Sequence, residues 1–412
     1  MPSLNVQIFI GVVVGVIIGG ILTQLGDASH VREWVLYGTT LSANLFVDLL
    51  KMILIPLVFS TIVVGVANLQ AHHQIHKVWK ATLIFFVCSM GLAMILALGT
   101  MNVLKPGQGL HLSMFHDAMA NYQHKQMTPS EFFLQFLHGL FINPFAALAK
   151  GDIMPVVVFA LFLGVALVVG GERYKNILLL FREFLDLTMR IIGWVMRLAP
   201  LGICALLIKL VATQDAALLS TLIEFIVIIV AMTLVHGIVV LPLILYIFTR
   251  RSPLWLWRGA REALITAFAT SSSSATLPVS MRCAEENLHV RKDIAGFVIP
   301  LGTALNFDGT ALYEAAAALF VANLAGIDLN LSQQLIVFCM SMIGAMGAPG
   351  IPSAGMVTMI LVLQSVGLPV EAIAILLPID RILDTVRTAV NVEGDIVGSL
   401  VVQAVVTEKE VG

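Results

Sequence analysis

Between Asp380 and Asp395 the chain reads DRILDTVRTAVNVEGD, with ILLPI before it and IVGSLVVQAVV after it. A segment this long and this apolar overall reads as a membrane-spanning helix. Yet it carries Asp380, Asp384, Arg387, Asn391 and Asp395. At about 100° per residue these positions fall at roughly 0°, 40°, 340°, 20° and 60°, with Thr388 on the edge at about 80°. They form one narrow stripe. With a rise of about 1.5 Å per residue it is roughly 22 Å long, most of a bilayer's hydrocarbon core. Each charge at mid-membrane costs about 2.5–3.5 kcal/mol on insertion scales, so the three acids and the arginine together cost on the order of 10 kcal/mol. A single ion pair can be structural. Three acids, one arginine and two neutral polar groups on one face point instead to a path for a ligand or for ions.

The rest of the chain gives that stripe a membrane to sit in. Of 412 residues 59% are hydrophobic and only 12% charged, against about 25% charged in soluble domains, and the mean hydropathy is +0.97. This is the composition of a polytopic, all-α membrane protein embedded in a lipid bilayer. A net charge of −2 argues against any nucleic-acid role. Cys88, Cys204, Cys283 and Cys339 form no CxxC and no metal spacing, so they read as small packing residues. The first apolar run, Val6–Leu25, lacks a basic leader and a small-residue cleavage site, and reads as a retained helix.

Spanning segments are expected near 5–25, 40–70, 78–104, 131–170, 176–211, 216–249, 293–325 and 372–406. Two more apolar segments, near 258–282 and 334–365, are interrupted. If the interrupted segments return to the side they left, most basic residues fall on one side of the membrane. These are Lys77 and Lys80, Arg173 to Arg182, Arg250 to Arg261, and Arg282 to Lys292. The other side has little beyond Arg32, Lys105 and Lys125. The positive-inside rule then places both termini in the cytoplasm of a cell (inner or plasma) membrane. Trp34, Trp79, Trp255 and Trp257 lie near segment ends, where aromatic belts form. The polar linker 105–130, with His111, His116 and His124, reads as an exterior loop. His72 and His76 form a helical pair without a third ligand, which is weak as a zinc site. Arg190 and Arg197 fall inside an apolar segment and must snorkel, pair or face water.

The interruptions are Thr270–Pro278, TSSSSATLP, and Gly344–Gly355, GAMGAPGIPSAG. Serine hydroxyls compete for backbone bonds, proline removes a donor, and the glycines cannot hold a continuous helix. Each interruption is flanked by apolar stretches too short to span, so both read as re-entrant hairpins with a non-helical tip. Such backbone survives at membrane depth only inside protein or beside a cavity. Each hairpin precedes a helix with a polar interruption: first Asn306, Asp308, Thr310 and Glu314, then the stripe. From Ser273 to Asp308 is 35 residues and from Gly350 to Arg387 is 37. A hairpin-plus-helix unit repeated in two halves is the pattern of a midplane binding site in a secondary transporter. Hairpin N-termini offer N–H donors to an anion, and unwound carbonyls offer oxygens to a cation.

SSSSATLP, NFDGTALYEA and DTVRTAVNVEGD resemble the motifs of the dicarboxylate/amino acid:cation symporters, which include the excitatory glutamate transporters. The resemblance extends over essentially the whole chain, including KMILIPLVFSTIVVGV and NPFAALAKGDIMPVVVFALFLGVAL. It implies eight transmembrane helices and two re-entrant hairpins in inverted repeats, a homotrimer, and an elevator-type mechanism. In that plan 1–70 holds scaffold helices 1 and 2, and 71–130 holds transport helix 3 with the exterior loop. Residues 131–250 hold scaffold helices 4 and 5 with transport helix 6, and 251–412 form the transport core. By motif position, Arg387 matches the arginine that binds a substrate side-chain carboxylate, a task suited to its bidentate fork. Asp384 matches the acid that takes the substrate's amino group. Asn391, Thr388, Thr310, Asp380 and Ser273 match further substrate positions, and Gly355 is the expected contact from the second hairpin, the outer gate. Asp308 and Asp395 match sodium-binding carboxylates, with Asn306, Ser89 and the carbonyls of Gly302, Ala304 and Asn391 as oxygen partners of the kind hard cations prefer. Glu314 matches the acid that mammalian glutamate transporters use for proton and potassium coupling. The implied coupling ions are several Na+, with H+ and K+ as further candidates, and no organic cofactor is implied.

The chain also departs from the pattern. Phe307 replaces the family's Met beside the ions, and a Tyr and a Thr around one sodium site align with Phe86 and Ser89. Ser271 and Thr385 stand at two places where members carry an arginine in one or the other, and Arg381, one step from Asp380, is the candidate to substitute. The second tip is about three residues longer. The leading expectation is a sodium-coupled importer of aspartate or glutamate. The same fold serving C4-dicarboxylates is disfavoured by Asp384, and neutral amino acids by Arg387. An ion channel is the alternative from another class, since polar stripes and re-entrant loops also build pores. An intramembrane hydrolase using Ser272 or Ser273 lacks a histidine near either tip, so the chain reads as no enzyme.

Overall fold

In hydrocarbon each backbone N–H and C=O must be satisfied within its own segment, which leaves the helix as the available spanning form for runs like these. The computed structural model describes residues 4–25, 29–68, 76–110, 138–139, 141–150, 153–213, 216–348 and 354–408, and among them all regular structure is helical. The N-terminal elements are α1 (Leu4–Gln24), α2 (His30–Asn68), α3 (His76–Leu104), α4 (Pro144–Lys150), α5 (Ile153–Gly170), α6 (Lys175–Met196) and α7 (Ala199–Thr213). Then come α8 (Ala216–Val235) and α9 (Leu241–Thr249), joined by a π-helical turn at His236–Val240. The C-terminal elements are α10 (Pro253–Thr270), α11 (Ser273–Arg282), α12 (Lys292–Leu305), α13 (Asp308–Ala325), α14 (Leu331–Gly347), α15 (Ala354–Ser365) and α16 (Ile373–Glu408).

Among the described residues four stretches are long and apolar enough to cross a membrane: Val6–Gln24, Lys77–Leu104, Ala217–Thr249 and Val370–Val406. A fifth is a pair bent by 52° between Met196 and Ala199, which corrects the expected unbroken span over 176–211. The expected span 293–325 is broken at Asn306 and Phe307, where the polar interruption lies. Part of 131–170 lies outside the described residues, as do His72, His111, His116, His124 and Lys125. The outward faces carry Phe9, Ile17, Leu45, Ile95 and Phe162, an apolar exterior that suits lipid rather than water. Arg190 and Arg197 both lie on exposed faces.

Helices α1, α2, α5, α6 and α7 pack on one another, while α3 and α8 to α16 form a second group around α13. Gly11, Gly15 and Gly19 line one face of α1. A Cβ there would lie 2.5 Å from the Pro200 carbonyl oxygen, 2.8 Å from that of Cys204 and 2.6 Å from Val211 Cβ, so only glycine lets α1 and α7 approach this closely. Helix α13 is buried at every position except Asn323, which fits a segment apolar all round apart from its functional end.

The two interrupted segments are helical over more of their length than expected. Ser252 caps α10 by accepting from Trp255 N–H at 3.3 Å, ahead of Pro253 at the first turn. Ser271 then turns left-handed at φ 51°, and Ser272 caps α11 by accepting from Ala275 N–H at 3.2 Å. Two serines therefore make the tip, and Pro278 sits inside α11. The arms fold back on each other: Arg282 pairs with Glu262, and Asn287 donates to the Gly259 carbonyl at 2.9 Å. In the second segment α14 runs through Gly344 to Gly347, and α15 already includes Gly355. The remaining break holds Ala348 and 349–353, the last of which lie outside the described residues.

Candidate functional site

The stripe on α16 converges as its period demands. Arg387 is fully buried, at 0% exposure. Its Nη2 donates to Asp380 Oδ1 at 2.6 Å and to Asp384 Oδ1 at 3.1 Å. The guanidinium carbon lies 4.1 Å from the centre of the Tyr313 ring, a cation–π contact that ties the fork to α13. Nη1 and Nε have no partner among the described residues, and neither has Asp380 Oδ2. The site thus presents unpaired donors and an unpaired acceptor within one buried volume.

Hairpin and helix residues close around this fork. Gly355, at the start of α15, is so near that a Cβ would fall 2.9 Å from Thr310 Cγ2 and 3.8 Å from Arg387 Nη1. The Asn391 side chain accepts from Gly309 N–H at 2.8 Å and offers Nδ2 to Thr310 Oγ1 at 3.4 Å, joining α16 to α13. Thr388 and Ser273 are buried, the latter at the N-terminus of α11. Arg381 is buried too and donates to Asp384 Oδ2 at 3.4 Å, so this arginine reaches the site one turn below Thr385. Thr385 itself turns away to the Ile382 carbonyl at 2.8 Å. Glu314 lies between the two arms of the second hairpin. Thr358 donates to its Oε1, while Oε2 has no partner among the described residues and lies 2.9 Å from where a Cβ on Gly344 would sit.

A second centre forms where α12 breaks into α13. Asn306 donates to Asp395 Oδ1 at 3.2 Å, and Gly302 lies so close that a Cβ would fall 2.3 Å from that same oxygen. Ser89 donates to Asp308 Oδ2 at 2.5 Å, and the ring of Phe86 packs beside Gly302. Asp308 Oδ1 and Asn306 Oδ1 are buried acceptors without a partner among the described residues. Neither group can donate through that oxygen, so each needs a hydrogen-bond donor or a hard cation. Ala304, two residues before Asn306 on the last turn of α12, is an exposed residue.

Two residues in this region were not anticipated from the sequence. His236, in the π-helical turn, sets Nε2 3.1 Å from Asp308 Oδ2. Glu393, on the far side of α16, accepts from Trp257 Nε1 at 2.9 Å. Trp257 therefore directs its indole N–H inward to α16. A lone histidine within AMTLVHGIVVLP is the signal that marked the first. A carboxylate inside the apolar C-terminal segment marked the second.

The model of the sodium:dicarboxylate symporter family matches residues 4–405. The chain is 31% identical to the proton/sodium-glutamate symport protein of Geobacillus stearothermophilus, over 96% of this chain and 92% of that protein. It is 31% identical to excitatory amino acid transporter 3 of Homo sapiens, over 95% of this chain and 83% of that one. It is 33% identical to neutral amino acid transporter B(0) of Homo sapiens, over 97% and 80% respectively. Matched over nearly its full length by that family and by transporters from bacterium to mammal, this chain belongs to the sodium:dicarboxylate symporter family and is a membrane transporter, not an enzyme.

Proposed function

We propose that this protein is a sodium-coupled symporter of acidic amino acids, aspartate or glutamate, in the cell membrane. The observation that carries the reading is Arg387: fully buried, beside Asp384, with Nη1 and Nε unpaired. A buried fork with free donors suits a side-chain carboxylate, and the adjacent acid suits an ammonium group. Thr310, Asn391, Thr388, Ser273, Asp380 and Gly355 complete the substrate site. Asp308, Asp395, Asn306, Ser89 and the carbonyls of Gly302, Ala304 and Asn391 bind sodium. Named relatives that carry glutamate with sodium and protons support the coupling.

In this reading Arg387 orients the substrate carboxylate, and Asp384 holds its amino group. Sodium at the α12–α13 break is held by Asp308 and Asn306, whose neighbours Gly309 and Thr310 contact the substrate-site residue Asn391. The second hairpin closes over Thr310 and Glu314, and Glu314 takes a proton on one side of the membrane and returns it on the other. Eight spanning helices and two re-entrant hairpins form inverted repeats. The group around α13, formed from helices 3 and 6 and the segment 251–412, moves as an elevator. Helices 1, 2, 4 and 5 are the fixed scaffold of a homotrimer, with both termini cytoplasmic.

A neutral amino acid is the second reading. It is favoured by the two carboxylates that already engage Arg387 Nη2 and by the similarity to a neutral carrier. Uptake of radiolabelled aspartate, glutamate, serine and alanine into proteoliposomes separates the two, with sodium, proton and potassium gradients imposed in turn. Sodium-driven accumulation of the acidic pair supports the first reading. Accumulation of serine or alanine alone replaces it with the second. Equilibration without accumulation indicates a channel.

A further inference from the structure

The two oxygens of Asp308 are treated unequally. Both side-chain donors around it, the Ser89 hydroxyl at 2.5 Å and His236 Nε2 at 3.1 Å, lie on Oδ2. Among the described residues Oδ1 has no partner, and neither has Oδ1 of Asn306 two residues earlier. His236, Asp308 and Ser89 are each 0% exposed, so bulk solvent does not reach this carboxylate.

The position of His236 is itself costly. It opens the π-helical turn His236–Val240, a geometry that is rare, is usually a single inserted turn in an α-helix, and concentrates at functional sites. The turn is held from behind by α16: a Cβ on Gly237 would meet Val390 Cγ2 at 2.9 Å and Glu393 Oε2 at 3.0 Å. Facing a carboxylate oxygen that also accepts from Ser89, Nε2 is the donor of this contact, and Nδ1 has no partner among the described residues. A histidine kept only for packing would be expected to satisfy both nitrogens when fully buried. This one satisfies the nitrogen that faces Asp308.

We infer that His236 is a positioning residue for sodium. Its Nε2–H and the Ser89 hydroxyl pin Asp308 Oδ2, leaving Asp308 Oδ1 and Asn306 Oδ1 as a fixed pair of hard oxygen ligands. The inference rests on the sodium-coupled reading above.

The test is 22Na+ binding to the purified, amino-acid-free protein by scintillation proximity. His236→Gln carries an amide nitrogen to the place of Nε2; His236→Asn carries it only to the place of Nδ1. The glutamine variant keeps near wild-type sodium affinity, and the asparagine variant loses about tenfold or more, as expected for a hydrogen bond to a charged group. Equal affinity in wild type and both variants overturns the inference, and so does an equal loss in both, which marks a packing role. Ser89→Ala removes the other donor to the same oxygen. Wild-type sodium affinity in that variant overturns the pinned-oxygen geometry even where a His236 variant does not fold. A wild type that binds no sodium overturns the sodium reading and this inference together, whereas sodium binding indifferent to the His236 side chain overturns this inference alone.

Discussion

Replacing Arg387 with cysteine removes three things at once: the free Nη1 and Nε donors, the bonds from Nη2 to Asp380 and Asp384, and the cation over Tyr313. The first sets substrate charge. Losing a buried, hydrogen-bonded charge partner costs about 2–5 kcal/mol, which at about 1.4 kcal/mol per decade is roughly 30- to 4,000-fold in aspartate affinity. The second leaves Asp380 unpaired at 0% exposure, while Asp384 keeps Arg381 at 3.4 Å. An unpaired buried charge destabilises the fold by about 3–5 kcal/mol, so the single variant unfolds at lower temperature. Asp380→Asn added to Arg387→Cys removes that unpaired charge without returning the fork. The double variant therefore regains stability but not aspartate binding, and serine or alanine gains relative to aspartate in both. The assay is competition of each amino acid against radiolabelled substrate in proteoliposomes, with thermal unfolding measured alongside. Unchanged aspartate affinity in Arg387→Cys refutes the assignment.

Asp384→Asn abolishes amino-acid binding but spares sodium binding to the empty protein, which calorimetry with sodium and then aspartate reads directly; retained tight aspartate binding counts against it. Gly355→Ala forces a Cβ to 2.9 Å from Thr310 and weakens substrate affinity, whereas Gly296→Ala, whose Cβ meets nothing within 4 Å, leaves it unchanged; equal effects would show that the close approach is incidental. Asp308→Asn and Asp395→Asn weaken sodium binding and, by linkage, substrate binding, with partial rescue at high sodium; rescue-free loss would indicate misfolding or a direct substrate role. An inward proton gradient, acidic outside, accelerates uptake in wild type and does nothing in Glu314→Gln; the same pH response in both proteins removes Glu314 from proton coupling.

The stripe was legible because α16 is an unbroken helix over all of it, so a constant turn per residue carries five polar groups to one face. The same arithmetic hid Glu393. At about 100° per residue it falls roughly 220° from Asp380, across the helix, where Trp257 reaches it from α10. His236 was hidden for another reason: a π-helical turn breaks the period, so no regular count along α8 and α9 predicts which way it faces. The serine tip was expected to be longer because four serines and a proline oppose helix locally. Ser272 instead spends its hydroxyl as a cap, and α11 starts at once despite Pro278. The closeness of Gly302 to Asp395 and of Gly355 to Arg387 depends on packing between elements far apart in the chain, which spacing alone does not encode.

The central claim is that sodium and an acidic amino acid occupy coupled sites on α12, α13 and α16. The most direct measurement is aspartate affinity in the wild-type protein, titrated by calorimetry across a series of sodium concentrations. The account predicts that the dissociation constant falls steadily as sodium rises, with a log–log slope of about one or more set by the number of linked ions. An aspartate affinity that is flat across the same sodium range contradicts it.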